Sequence, residues 1–281
     1  MNDSPILIVG KNAKTGWRVE RGLQALGIPT RAVSRSTAPA FDWEDQGSWR
    51  AAMAGARAAY ITFHPDLAIP GAEQAIREFT ALAAELGLQH LVLLSGRGED
   101  GARRAEIVLE QCGLDWNVVR SSWFMQNFSE SFMIEGILSG ELALPAGDTV
   151  EPFIDADDIA EVAVATLTRP QLRNRVFEVS GPRAMTFAEC VAAISRAAGY
   201  PVKYTQIPLD TFIDGMREQG APDMLLWLMR ELFTVVFDGR NSTPASGVEE
   251  ALGRPATDFE TYLAKAMASG AWQRHGLQQQ G

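Results

Sequence analysis

The run Pro5-Ile6-Leu7-Ile8-Val9-Gly10-Lys11-Asn12-Ala13-Lys14-Thr15-Gly16 limits the possible folds of this chain more than any other stretch. An uninterrupted apolar segment belongs to a strand buried on both faces, as in a parallel sheet. It ends in Gly10, which allows a sharp turn and a close backbone approach to a ligand. After Gly16 an amphipathic helix begins, marked by Val19, Leu23 and Leu26. The leading N–H groups of such a helix, at its positive dipole end, point back at the turn and suit a pyrophosphate. The expected ligand is a dinucleotide. The spacing Gly10-x-x-Ala13-x-x-Gly16 is a relative of the glycine fingerprint, with a small methyl where the backbone would meet phosphate. The alternative is a strand-to-helix turn that needs glycine for geometry alone.

The same alternation continues. Strands are expected over residues 29–34, 58–63, 90–95 and 115–120, with a short extended segment at 40–43 and helices at about 45–54, 72–86 and 102–112. Strands alternating with helices of this length imply right-handed crossovers and a doubly wound parallel α/β sheet. Residues 153–158 lead into a helix at 159–167, residues 175–180 form another strand, and Thr186 caps a helix at 187–198. Beyond Tyr200, the residues Phe212, Met216, Met224, Leu225, Trp227, Leu228, Met229, Phe233 and Phe237 predict a smaller, mostly helical lobe. They pack a core or wall an apolar ligand pocket. The expected division is a nucleotide-binding domain at 1–182 and a substrate lobe at 183–281, joined by part of 123–150.

Composition removes several functions. The chain has 281 residues, 46% hydrophobic and 21% charged, as in ordinary globular proteins. No run approaches the roughly 20 apolar residues of a membrane span. The first residues carry no basic leader, so the expected location is cytoplasmic. A net charge of −10 argues against nucleic acid or an anionic membrane as partner. The expected partner is a small-molecule substrate, and the expected assembly is a monomer or homodimer. Cys112 and Cys190 are not spaced as ligands or as a disulfide, and His64, His90 and His275 lack metal spacing, so no metal is expected. The Gln278–Gly281 tail is a polar end.

At the end of the second strand, where NAD-binding folds place an acid, the chain reads Val33-Ser34-Arg35-Ser36. A guanidinium between two hydroxyls suits the 2′-phosphate of NADPH. Lys11 and Lys14 add positive charge to the turn. Asp42 is placed to bond the adenine amino group, or to cap the following helix.

The ordinary short-chain dehydrogenase chemistry uses a serine and a Tyr-x-x-x-Lys pair, in which the lysine lowers the tyrosine pKa. Ser95 supplies the serine, but Gly96–Arg104 contains neither tyrosine nor lysine, and Tyr60, Tyr200, Tyr204 and Tyr262 lie elsewhere. A nucleophile-elbow serine and a P-loop are also absent. In open parallel sheets, ligands bind outside the carboxyl ends of the strands. Thr62, Phe63 and His64 are therefore expected along the route to the nicotinamide. Ser95, Gly96 and Arg97 are expected beside its ribose, with Ser95 and Arg97 closest to the reacting centre. Trp123, Phe124, Asn127 and Trp227 are expected to shape the substrate pocket, together with His64.

The chain resembles the NmrA-like branch of the atypical short-chain dehydrogenases. The resemblance rests on the Gly10–Gly16 turn, Phe41-Asp42-Trp43, Leu93-Leu94-Ser95, Val119-Arg120, Trp123-Phe124-Met125-Gln126-Asn127, Ile154-Asp155-Ala156-Asp157-Asp158-Ile159-Ala160 and Ser180-Gly181-Pro182. Within that branch it is most similar to the festuclavine/agroclavine dehydrogenase group. The resemblance implies a Rossmann fold and an NADPH-dependent reductase of an iminium, enone, quinone or similar electron-poor acceptor. An iminium already carries positive charge, so hydride addition to it needs no proton donor. The resemblance also admits an NADPH-binding sensor without turnover, or a non-redox catalyst. The chain departs from the branch at Ala13, at Ser121-Ser122 where proline is usual, and at Arg103-Arg104 where a lysine is often found.

Overall fold

The structure is a computed structural model and describes residues 4–274. His275 and the Gln278–Gly281 tail lie outside the described residues. The elements run β1 (Ile6–Val9), α1 (Gly16–Ala25), β2 (Thr30–Val33), α2 (Trp49–Met53), β3 (Ala58–Ile61), α3 (Ala72–Glu85), β4 (His90–Gly96), α4 (Asp100–Glu110) and β5 (Asp115–Ser121). They continue with α5 (Met133–Ser139), β6 (Glu141–Leu144), α6 (Ala156–Thr168), β7 (Arg175–Val179), α7 (Phe187–Ala198), β8 (Lys203–Gln206), α8 (Leu209–Glu218), α9 (Asp223–Glu231), α10 (Gly247–Leu252) and α11 (Phe259–Ala268). The chain divides into two compact units.

The first unit comprises the described residues up to Ser121, with Ala156–Val179 and Ala245–Pro255. Its strands form one parallel sheet in the order β2-β1-β3-β4-β5-β7. The order reverses between β1 and β3, which makes their carboxyl ends a topological switch point. Leu7, Val9, Ala59, Ile61, Leu91, Leu93 and Val118 face α2, α3 and α4 in one buried core. The opposite face is covered by α1 and α6 through Val19, Leu23, Ile159 and Val162, all fully buried. Covering on both faces accounts for the uninterrupted apolar runs. Gly247 of α10 lies against β7, where a Cβ would fall 2.3 Å from the Glu178 carbonyl oxygen.

Residues 40–43 do not form the expected strand. The backbone bends there, with a bridge between Asp42 and Asp45. Both Phe41 and Trp43 enter one aromatic cluster, with ring centroids 5.0 Å apart, and Phe41 stacks on Trp49 at 5.7 Å. The expected helix at 45–54 is a 3₁₀ turn, Gln46–Ser48, followed by the short α2. Asp45, not Asp42, caps that turn by accepting from Gly47 N. A glycine here disfavours a longer α-helix. Cys112 lies just past α4, Cys190 lies in α7, and both are free thiols.

The second unit comprises Ser122–Asp155, Ser180–Pro244 and the described residues from Ala256 onward. It is not helical throughout, because β6 and β8 pair in parallel as a two-stranded sheet. Thr186 caps α7 as its sequence predicts, and the structure adds Glu189, which completes a capping box. A π-helical turn, Leu232–Val236, follows α9. No helix among the described residues is long and apolar enough to cross a membrane.

Candidate functional site

Both glycines of the first turn are dictated by close packing. Gly10 has φ +94°, and a Cβ there would fall 2.0 Å from Thr62 Oγ1. A Cβ on Gly16 would fall 2.0 Å from the Gly10 carbonyl oxygen. The end of β1, the residue after β3 and the start of α1 thus meet at contact distance. Thr62 Oγ1 donates to Val9 O at 2.9 Å, and Gly10 N and Lys11 N donate to Val33 O at 3.2 and 3.0 Å. Ala13 N donates to Gly10 O at 2.8 Å. The first turn of α1 carries no acidic residue, and Thr15 provides no side-chain cap. A helix start with neither feature fits an anionic group such as a pyrophosphate. The Thr15 and Tyr60 side chains are both buried beneath the turn. Burial pushes the Tyr60 phenol above its ordinary pKa and holds it protonated.

The loop after β2 is joined to this turn through Val33 O. It is built from its own hydroxyls. Ser34 Oγ lies 3.1 Å from Ser36 Oγ and accepts from Ser36 N at 3.3 Å, while Thr37 Oγ1 accepts from Ser34 N at 2.9 Å. Arg35 is exposed and forms no ion pair among the described residues. Lys11 and Asn12 are also exposed, and Ala13 and Lys14 are half-buried. Asp42 is half-buried; its Oδ1 accepts from Glu44 N at 3.1 Å and its carbonyl accepts from Trp49 Nε1 at 2.6 Å. Trp43 donates to Thr62 O at 3.0 Å and packs on Phe63 at 4.7 Å, which draws Phe63 towards the aromatic cluster. His64 is exposed.

Strand register brings charged groups together at the other candidate position. Ser95, Arg120 and Glu178 are paired across β4, β5 and β7. From α4, the fully buried Glu106 accepts from Ser95 Oγ at 2.7 Å and from Arg120 Nε at 2.9 Å through Oε1. Its Oε2 accepts from Arg120 at 2.5 Å and from Arg103 at 3.0 Å. Burial opposes ionisation, yet Arg120, Ser95 and Arg103 together hold the Glu106 carboxyl below its ordinary pKa. Arg97, 8% exposed, donates to Glu178 Oε1 at 2.6 Å. The Ser95 proton and the Arg97 guanidinium are thus engaged within the protein. A Cβ on Gly96 would fall 2.3–2.4 Å from the Glu99 carboxylate. Glu99 shares a hydrogen bond with Asp66, whose pKa burial pushes up.

Sequence reasoning gave Glu106 no role. Its signal is an acid on the buried stripe Ala102, Ala105 and Leu109 of α4. Arg120 was visible only within a motif.

In the second unit, Trp123 packs against Phe187, Phe233 and Phe237 at 5.7, 5.3 and 5.6 Å. Phe124 and Asn127 are half-buried, and Trp227 is 40% exposed on α9. Tyr262 donates to Ser129 Oγ at 2.8 Å, and Lys265 pairs with Asp155 at 3.0 Å. Burial pushes the Tyr262 phenol above its ordinary pKa, so it stays protonated at neutral pH. No group of three or more potential metal ligands occurs among the described residues.

The profile of the NmrA-like family matches residues 103–263. The chain is 30% identical to the NAD(P)H azoreductase of Xenophilus azovorans, over 95% of this chain and 99% of the relative. It is 25% identical to the agroclavine dehydrogenase of Claviceps fusiformis, over 92% of this chain and 96% of the relative. Among solved structures, it is similar to the NADPH-dependent quinone oxidoreductase of Escherichia coli complexed with NADPH. That likeness has a TM-score of 0.76 at 18% identity and covers 93% of this chain and 99% of the other, and it is a likeness of fold.

Proposed function

This chain belongs to the NmrA-like family, and on that premise we propose that it is an NADPH-dependent reductase of electron-poor small organic molecules: iminium, enone, quinone or azo acceptors. The observation that carries the cofactor assignment is Arg35, exposed and unpaired among the described residues, on a loop bonded to the glycine turn. Its planar fork matches a 2′-phosphate. In this reading Gly10, Asn12, Ala13, Lys14, Thr15 and Gly16 surround the pyrophosphate, with Lys11 adding charge. Ser34, Arg35 and Ser36 hold the adenosine ribose and its phosphate, and Asp42 lies near the adenine.

When bound, NADPH supplies a hydride. Thr62, Phe63, His64, Ser95, Gly96 and Arg97 orient the nicotinamide end and exclude water. The Ser95 hydroxyl already donates to Glu106, which favours an acceptor that needs no proton from this row. The same engagement favours a second reading, an NADPH sensor without turnover. Consumption of NADPH with a panel of quinones, iminium ions, enones and azo compounds separates the two, since a sensor binds and does not turn over.

Calorimetric titration of Arg35→Ala tests the cofactor assignment. The variant is expected to lose about 1–3 kcal/mol of NADPH affinity and little for NADH. Equal loss for both nucleotides rejects it.

A further inference from the structure

The motif Ile154-Asp155-Ala156-Asp157-Asp158-Ile159-Ala160 places three carboxylates close together in sequence, and each holds a different cation. Asp155 pairs with Lys265 at 3.0 Å, Asp158 with Arg254 at 2.7 Å and Asp157 with Arg18 at 2.8 Å. The third pair touches the proposed nucleotide site.

Arg18 is the third residue of α1, where the helix dipole disfavours a cation. Its side chain is nevertheless buried, at 7% exposure. Besides Asp157, it donates through a terminal nitrogen to the Lys14 carbonyl at 2.6 Å, and its guanidinium carbon sits 4.2 Å from the Trp17 ring centroid. Lys14 and Thr15 are the last two residues before the helix. The peptide joining them is planar and trans, so fixing the Lys14 carbonyl towards Arg18 fixes the Thr15 N–H on the opposite side. The amides of Gly10, Lys11 and Ala13 are engaged inside the chain. That shifts anion binding towards the helix end of the turn, where the 14–15 peptide plane matters most.

We infer that Arg18, anchored by Asp157 of α6, is a positioning residue that sets the helix end of the glycine turn for the dinucleotide pyrophosphate. This deepens the NADPH reading and rests on it. The pair explains both an arginine in an unfavourable helix position and the middle aspartate of the motif.

The test compares the unaltered protein with Asp157→Asn, Arg18→Gln and the double variant. Calorimetry is run with NADPH, with ADP-ribose, and with adenosine 2′-phosphate, which has no 5′-phosphate. Amide hydrogen exchange over residues 13–17 is followed without ligand. Asp157→Asn is expected to weaken NADPH and ADP-ribose about tenfold and adenosine 2′-phosphate by less than about twofold, and to speed exchange at Thr15 and Gly16. The double variant is expected to bind no more weakly than Arg18→Gln, because one clamp is lost once. Unchanged affinity and exchange overturn the inference, as does equal weakening of adenosine 2′-phosphate, which marks general damage. A wild-type protein that binds none of the three overturns the NADPH reading and this inference together. Wild-type binding matched by the variants overturns this inference alone.

Discussion

His90 gives the fold an acid limit that can be worked out from its surroundings. It opens β4, is 2% exposed, and its Nε2 lies 2.9 Å from Asn117 Oδ1. The Asn117 amide nitrogen donates to Leu172 O at 2.7 Å and to Arg175 O at 3.0 Å, so Oδ1 is an acceptor and His90 carries its hydrogen on Nε2. Nδ1 is buried without a partner, and a proton there would also face the charges of Arg173 and Arg57. Burial is the largest cause, and the ring is pulled down from 6.5 to about 4. Across that window the unfolded chain takes up a proton that the folded chain refuses. Stability therefore falls as pH drops through it and levels off near the lower value. A gap of roughly two and a half units corresponds to about 3 kcal/mol. His90→Gln keeps a donor for Asn117 and removes the titration. In urea unfolding between about pH 7.5 and about pH 4, the wild type is expected to lose about 3 kcal/mol more than the variant. Asp66, whose raised pKa acts in the opposite direction, is common to both proteins and cancels in the difference. Parallel pH profiles would refute the reasoning.

Two further substitutions probe the site scaffold. Gly10→Ala meets both a positive φ and the Thr62 hydroxyl, and is expected to cost at least roughly 2 kcal/mol by thermal unfolding. Adding Thr62→Ala should recover the steric part and leave the backbone strain. Glu106→Gln takes the nearer carboxylate from Arg120, which keeps Glu178 at 3.8 Å, and is expected to cost roughly 1–3 kcal/mol in urea unfolding. Pairing it with Arg120→Met should cost less than the single change.

The legible parts of the chain were those where one residue answers to its immediate neighbours. β1, β3 and β4 are buried on both faces, so each announces itself as an apolar run. Gly10 and Gly16 are legible because backbone geometry demands them. Phe41-Asp42-Trp43 misled because alternation there comes from a bend, not a pleat. The pairing of β6 with β8 was missed because Lys203–Gln206 has no apolar run and its partner lies about sixty residues away. The row Ser95–Arg120–Glu178 exists only through the register of three parallel strands, which local pattern does not encode. Glu106 reaches that row from a fourth element.

That row bears on how an acidic protein can hold an anionic cofactor. Near the carboxyl ends of β4, β5 and β7, Arg97 is matched by Glu178, and Arg120 and Arg103 by Glu106. At the start of α1, Arg18 is matched by Asp157. These guanidiniums therefore hold the scaffold in shape and add little net field for a ligand. In the proposed reading, the pyrophosphate is then held by amide direction, which does not distinguish NADPH from NADH. The 2′-phosphate is the one group that separates the two nucleotides, and Arg35 is the exposed guanidinium on the loop where it would lie. Affinity and cofactor choice are thereby assigned to different residues. Disturbing Asp157 should weaken both nucleotides alike, whereas removing Arg35 should weaken one of them. If Arg35→Ala and Asp157→Asn gave the same ratio of NADPH to NADH affinity, this separation of roles would be wrong even with both residues important for binding.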